Sequence, residues 1–211
     1  MIYRLLIFLG LFMMSCADQT PVEENKDRKK WDKKYSGDTF LYGKDPSPYL
    51  KDSLEKLTKG KALDIAAGEG RNAVFLAENG WDVDAVDISA IGLEKAKKLA
   101  AEKKCKIHAV VADLTTYKIQ ENTYDVIVNF YYLQRDLFPQ IIAGLKEGGV
   151  VVFETFTTDH LQINSKMKRE YCLEKNELKN TFAGFEIIEY EEVATSNKAV
   201  ARLIARKKRK K

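Results

Sequence analysis

Lys61–Ser89 reads KALDIAAGEGRNAVFLAENGWDVDAVDIS. A short apolar run, ALDIA, has strand length and is followed at once by two glycines, Gly68 and Gly70, bracketing Glu69. RNAVFLAEN then carries its apolar residues at helical spacing. Gly80 stands just past its end, where a left-handed residue closes a helix. WDVDAVD alternates as a second strand, and Ser89 is placed to cap the helix after it. Strand, glycine turn, helix, strand is the unit from which covered parallel sheets are built.

The same alternation continues in both directions. SPYLKDSLEKLTKG, ending at Gly60, has Tyr49, Leu50, Leu54 and Leu57 at helical spacing. After Ser89 come the helix AIGLEKAKKLAAEKK and the strands KIHAVVAD and YDVIVNFYY. LFPQIIAGLKE is expected to be a helix stopped by Gly148 and Gly149, VVVFETF a fifth strand and CLEKNELKNTFAGF a further helix. FEIIEYEEV and KAVARLIARK close the chain as two strands joined by ATSN. The expected fold is α/β: a Rossmann-like, doubly wound, mostly parallel sheet of seven strands with a C-terminal antiparallel hairpin.

The chain has 211 residues, 45% hydrophobic and 31% charged, which suits one globular domain with appendages. The formal charge is +4, but the last six residues, Arg206–Lys211, are all basic, so the body is slightly acidic. No basic face for nucleic acid is visible, and 206–211 reads as a solvated basic tail. Three cysteines and two histidines show no metal-ligand spacing, so no metal site is expected.

The first residues follow another logic. Arg4 precedes the apolar run Leu5–Met14, too short to span a bilayer, and then Ser15-Cys16. Residues 1–16 read as a signal peptide whose end is similar to a bacterial lipobox, with Cys16 as the lipid attachment point and Met13 where leucine is usual. Residues 17–30, polar and poor in apolar side chains, read as a flexible tether, and 31–208 as the domain. The expected location is a membrane-anchored lipoprotein, or the cytoplasm if translation starts at Met13 or Met14.

Gly68 and Gly70 allow backbone to approach a ligand, and the next helix aims its N–H groups at the same place. Asp87 ends the second strand, 19 residues after Gly68, where a carboxylate takes a ribose diol. Gly68-Glu69-Gly70-Arg71-Asn72-Ala73 also fits G-x-G-x-x-A, so the glycines alone do not separate dinucleotides from other nucleosides. The carboxylates do. Asp64 lies inside the first strand and suits an amine rather than a pyrophosphate, and Asp113 ends the third strand, where it can accept from an adenine amino group. A cofactor with a sulfonium, an amine, a ribose and an adenine matches that set.

On these residues the chain resembles class I S-adenosylmethionine-dependent methyltransferases. ADLTTY, YDVIVNFYYL and LKEGGVVVFETF are similar to that family's later motifs in order and spacing. The opening segment WDKKYSGDTFLYGKDPSPYL is similar to the small bacterial tellurite-resistance and thiopurine branch. The resemblance implies S-adenosyl-L-methionine as cofactor. It implies cofactor contacts at Asp64, Ala66, Gly68, Gly70, Asp87, Ile88, Asp113, Leu114 and Asn129. It implies a lid and substrate wall containing Trp31, Tyr35, Tyr42 and Tyr132. Tyr131, Arg135 and His160 are the catalytic candidates, with Glu154 a further acid–base candidate and Glu69 and Arg71 lining the turn.

Ala66 replaces the family's first glycine, and Leu133-Gln134-Arg135 replaces a Leu-His-Arg. Val193–Val200 lacks the His-Arg pair of the tellurite branch, which weighs against tellurite itself. A soft or already ionised small molecule (a thiol, selenium or tellurium acceptor) needs no general base and fits the scarcity of histidine. The protein is expected to act as a monomer. Two other functions stay open. Tyr171 and Lys175 match the Tyr-x-x-x-Lys of nicotinamide-dependent dehydrogenases, although the glycine loop of those enzymes is missing. A membrane-tethered, non-catalytic module would explain an exported leader, because S-adenosylmethionine is made in the cytosol.

Overall fold

The computed structural model describes residues 25–210. The leader, Cys16, the tether as far as residue 24 and Lys211 lie outside the described residues. Seven strands run β1 Lys61–Ile65, β2 Asp82–Asp87, β3 His108–Val111, β4 Tyr124–Phe130, β5 Leu145–Phe156, β6 Glu186–Ala194 and β7 Ala199–Arg206. The helices are α1 Lys26–Tyr35, α2 Pro48–Asp52, α3 Arg71–Glu78, α4 Ala90–Glu102, α5 Phe138–Gly144 and α6 Glu177–Thr181.

The sheet order is β3-β2-β1-β4-β5-β7-β6. β1 to β5 pair in parallel, while β7 pairs antiparallel with both β5 and β6. The strand order reverses between β1 and β4, so a crevice opens beyond their carboxyl ends. Alternate side chains feed two cores. Leu63, Ile65, Ile127, Val151 and Phe153 pack toward α5 and α6. Ala62, Val83, Val126, Val128 and Val152 pack toward α2, α3 and α4. Among the described residues no helix is long and apolar enough to cross a membrane.

Five expected boundaries shift, each for a local reason. The tether is helical from Lys26, because Asn25 accepts from the N–H groups of Asp27 and Arg28 at 2.9 and 3.2 Å and caps α1. The helix expected over 47–60 breaks after Asp52 into a 3-10 turn, where the Ser53 hydroxyl donates back to the Tyr49 carbonyl. α5 stops at Gly144 rather than at Gly148, because Asn122 and Thr123 donate to the Ala143 and Gly144 carbonyls at 2.9 Å. Those bonds turn Leu145 into β5. The helix expected from Cys172 shrinks to α6, since Leu173 is held by a bridge to Thr157 and Asn176 adopts a left-handed φ of +60°. At the other end Arg206 closes β7, and Lys207 donates to the carbonyls of Ile142 and Leu145 at 2.7 Å. The basic tail therefore starts later than 206.

Candidate active site

The turn after β1 needs left-handed backbone three times, at Ala66 (φ +55°), Gly68 (φ +56°) and Gly70 (φ +82°). Ala66 bears a Cβ there at a cost of about 1 kcal/mol. The Asp87 carboxylate fastens the turn, accepting from the N–H groups of Gly68 and Ser89, both at 2.8 Å. Burial pushes Asp87 up, and those N–H groups oppose the push. An ionised carboxylate has lone pairs to spare beyond these two bonds, so the diol-binding capacity survives.

Asp64 and Asn129 end neighbouring strands, with Ile65 registered against Asn129. Both side chains are almost wholly buried, and Asp64 Oδ2 and Asn129 Oδ1 have no hydrogen-bond partner among the described residues. Desolvation raises Asp64 to about 7. Two orphaned buried acceptors at a sheet's switch point are costly unless a donor completes them. A cationic amine is such a donor, so these residues fit the methionine end of S-adenosylmethionine.

Asp113 accepts from the Thr115 N–H and hydroxyl at 2.9 and 2.7 Å, and from the Asn25 amide at 2.5 Å. The Thr115 hydroxyl is the main reason its carboxyl sits below the usual range. Ile88 is half-buried and Leu114 is buried, flanking these carboxylates along the chain.

α1 lies over the turn. Asp32 accepts from the Ser89 hydroxyl at 2.5 Å and the Ile91 N–H at 3.3 Å. Trp31 stacks on Tyr35 at 5.5 Å, and the Tyr35 hydroxyl lies 2.7 Å from where a Gly68 Cβ would stand. Burial pushes the Tyr35 phenol well up, so it stays protonated. Glu69 is buried and accepts from the Leu41 N–H at 2.7 Å and Lys95 Nζ at 2.8 Å, which ties the loop carrying Tyr42 to the turn. Asn25, Asp32 and Glu69 as fastenings of this covering segment were missed in the sequence. Asn25 preceding Asp27 and Arg28 was a readable cap signal.

The catalytic candidates separate. Tyr131, in a left-handed φ of +60°, donates its hydroxyl to the buried Glu154 and accepts from Lys198 Nζ at 3.1 Å. Glu154 also holds Arg202. Phe156 packs on Tyr131 at 5.1 Å and on His160 at 4.3 Å, so these two candidates share one aromatic row. His160 Nδ1 accepts from the Ala199 N–H at 3.3 Å, which makes Nδ1 the unprotonated nitrogen, and burial lowers its basicity. That engagement removes His160 as a free base. Tyr132 donates to Gln134 at 2.6 Å, and burial pushes it up to about 12.

Arg135 is bound elsewhere. It forks onto Glu177 at 2.7 and 2.9 Å and donates to the Glu170 and Cys172 carbonyls at 3.2 and 3.0 Å. It staples one loop to another and lines an open surface cavity with Arg169, Glu170 and Glu174. Arg135→Ala is expected to cost about 1 kcal/mol, being a partly exposed pair, and to leave cofactor affinity unchanged. Urea midpoints and a ligand titration on the same samples check both halves. Tyr171 ends a 3-10 turn and Lys175 lies beyond extended Cys172, so the two are not a helical pair. Among the described residues no group of three side chains could hold a metal ion.

Comparison with known proteins fits this geometry. Residues 27–203 match the family described as tellurite resistance protein TehB. Hemagglutinin 1 of Eikenella corrodens is 30% identical over 68% of this chain and 49% of its own. A probable S-adenosyl-L-methionine-dependent methyltransferase TehB of Haemophilus influenzae is 29% identical over 67% of this chain and 51% of its own. The chain thus spans about half the length of these curated relatives. The crystal structure of TehB from Haemophilus influenzae superposes with a TM-score of 0.66 at 22% identity, over 86% of this chain and 67% of that one. Magnesium protoporphyrin IX methyltransferase from Synechocystis, solved with bound SAH, gives 0.60 at 18% identity over 75% and 80%. These two structures confirm the fold. The family match runs from α1 into β7, across the glycine turn and all its carboxylates, and the chain belongs to the TehB family of tellurite resistance proteins.

Proposed function

We propose that the protein is an S-adenosylmethionine-dependent methyltransferase acting on a small-molecule acceptor. The observation that carries this reading is the pair of orphaned acceptors, Asp64 Oδ2 and Asn129 Oδ1, buried beside the glycine turn. The cofactor supplies a methyl group on an activated sulfonium. The chain supplies positioning: Asp64 and Asn129 for the amine, the Gly68–Gly70 turn for close backbone approach, Asp87 for the ribose and Asp113 for the adenine, with Ile88 and Leu114 beside it. Alignment of acceptor and sulfonium contributes much of the rate in such a displacement.

The acceptor we favour is soft or already ionised, of thiol, selenium or tellurium type. In support, the acid–base candidates among the described residues are engaged or held protonated. His160 is engaged by Ala199, Glu154 by Tyr131 and Arg202, and burial keeps the Tyr131 phenol protonated. In this reading the protein works as a monomer without nucleic acid, held at a membrane by a lipid on Cys16. The export-like leader favours a second reading, a tethered module that does not turn over cofactor.

Calorimetric titration of the full chain with S-adenosylmethionine, S-adenosylhomocysteine and, as control, NADH separates the two. Micromolar binding of both sulfur ligands, weakened at least about 100-fold in a folded Asp87→Ala variant, is expected from the loss of a buried charged partner. Binding of neither sulfur ligand would leave the tethered module as the better account.

A further inference from the structure

We propose that the outer face of α1 docks on an anionic phospholipid surface through Lys26, Lys30, Lys33 and Lys34. This face is distinct from the cofactor cleft, and its docking does not depend on a lipid at Cys16.

The four lysines stand at i, i+4, i+7 and i+8, which puts them on one side of the helix. All four are exposed. The other side faces the domain. Asp32 accepts from the Ser89 hydroxyl, Tyr35 is buried, and the charges of Asp27 and Arg28 act on Tyr132 and Asp113. None of the four lysines forms an ion pair among the described residues. Lysines elsewhere on the surface do: Lys44 holds Glu102, Lys97 holds Glu94, Lys103 holds Glu78 and Lys146 holds Asp125. Like charges one helical turn apart repel each other. This face therefore carries an uncompensated cost that a layer of fixed anions removes.

The surroundings of the face favour lipid over nucleic acid. Single strands need open aromatic faces on which bases stack. The ring beside these lysines, Trp31, is covered by Tyr35 at 5.5 Å and by Lys34 Nζ at 4.2 Å. The helix is about 15 Å long, short for a phosphate track but sufficient for a patch on a plane of headgroups. The apolar run Leu5–Met14 precedes α1 in the chain. Lysines clustered beside an apolar segment are drawn to anionic headgroups, and the two attachments reinforce each other. The orientation follows from what lies beneath. Asn25 on Asp113 and Asp32 on Ser89 hold α1 over the carboxyl ends of β3 and β2, so that end of the sheet meets the bilayer. The basic tail leaves from the opposite end, since Arg206 is registered against Val150, where β5 begins its pairing with β7.

The test is co-sedimentation of the full chain with vesicles of phosphatidylcholine alone and of phosphatidylcholine mixed with phosphatidylglycerol. Comparing the two vesicles cancels the apolar contribution of Leu5–Met14. Wild type is expected to bind the mixed vesicles more tightly and to lose that advantage in high salt. A lysine near an anionic surface contributes about fivefold, so Lys26→Gln, Lys30→Gln and Lys33→Gln combined are expected to weaken binding to the mixed vesicles roughly 100-fold. Arginine at the same three positions keeps the charge and is expected to keep the binding. Lys208→Gln, Arg209→Gln and Lys210→Gln combined remove equal charge at the far end of the sheet and are expected to leave binding within about threefold. Equal wild-type binding to the two vesicles overturns the proposal. So does a loss in the tail variant as large as in the α1 variant, which is the mark of net charge alone. Capture of the wild-type chain by single-stranded RNA in preference to the mixed vesicles also overturns it.

Discussion

Asp64→Asn is expected to stabilise the unliganded protein at pH 8 and to abolish useful cofactor binding. Asp64 is fully buried and one of its oxygens has no partner, so desolvation holds its carboxyl at about 7 in the fold, against 3.8 for an ordinary aspartate. Between those values the folded state keeps a proton that the unfolded state has lost. The folded state then binds more protons, so stability is greatest at low pH and falls as pH rises through this window. The slope is about 1.4 kcal/mol per pH unit, on the order of 4 kcal/mol in all. Above about 7 both states are ionised and the loss is complete. Asparagine cannot ionise, so its thermal midpoint should lack this slope and exceed wild type at pH 8.

The ligand should reverse the sign. A bound ammonium favours the Asp64 carboxylate, so binding below pH 7 must expel a proton. Wild-type affinity is expected to tighten by up to about tenfold per pH unit on approach to 7 and then level off. Asp64→Asn should lose about 100-fold and show no such dependence, because an amide leaves the buried ammonium unpaired. Thermal midpoints from pH 5 to 8 and calorimetry in buffers of different ionisation enthalpy measure both effects. Parallel midpoint curves for the two proteins, or S-adenosylmethionine affinities within threefold of one another, would sink this account of Asp64.

Such a group was half legible in the sequence. Strand periodicity placed Asp64 on the face opposite Leu63 and Ile65, and the turn after it implied a ligand. Its loneliness was not legible, since that depends on Asn129 arriving from β4 at the adjacent register. The sheet order was legible because alternating strand and helix signals leave few right-handed topologies. Boundaries failed where a single tertiary bond outweighed propensity. The Gly144 carbonyl, taken by Thr123 from across the sheet, is one such case, and the Ser53 hydroxyl turned onto its own helix is another.

The site divides the same way. Placements set by a residue's own strand or turn were readable: Asp87 at the end of β2, Gly68 and Gly70 in the turn and Ser89 as the cap of α4. Residues whose job is set by what docks on them were not. Arg135 and His160 looked chemical because their types are chemical, yet Glu177 and the Ala199 N–H had already engaged them. Lys26–Lys30 looked like a tether because the segment is polar. What holds it down is also polar: Asn25 on Asp113 and, two turns further on, Asp32 on Ser89. Hydrophobic patterning does not register a helix attached by hydrogen bonds.

Gly70→Ala is expected to be the most destabilising single methyl in the turn. Its φ of +82° already penalises any side chain. A Cβ there would also lie 2.4 Å from Ala96 Cβ and 2.9 Å from Ala96 Cα, on the inner face of α4. Backbone cannot swing aside as a flexible side chain can, so α3 and α4 must part. The left-handed penalty of about 1–2 kcal/mol and an overpacking cost of about 1–3 kcal/mol together give a loss of roughly 2–5 kcal/mol. The steric share is separable from the conformational share. Ala96→Gly removes the nearer obstacle, so in the Gly70→Ala background it should recover about 1 kcal/mol, although alone it weakens α4 by a similar amount. Urea unfolding of the four proteins in this cycle gives the coupling directly. A coupling near zero would mean that the helices do not meet at Gly70 as described. A favourable coupling would mean that the close seat of α3 against α4 is what the second glycine of the turn provides.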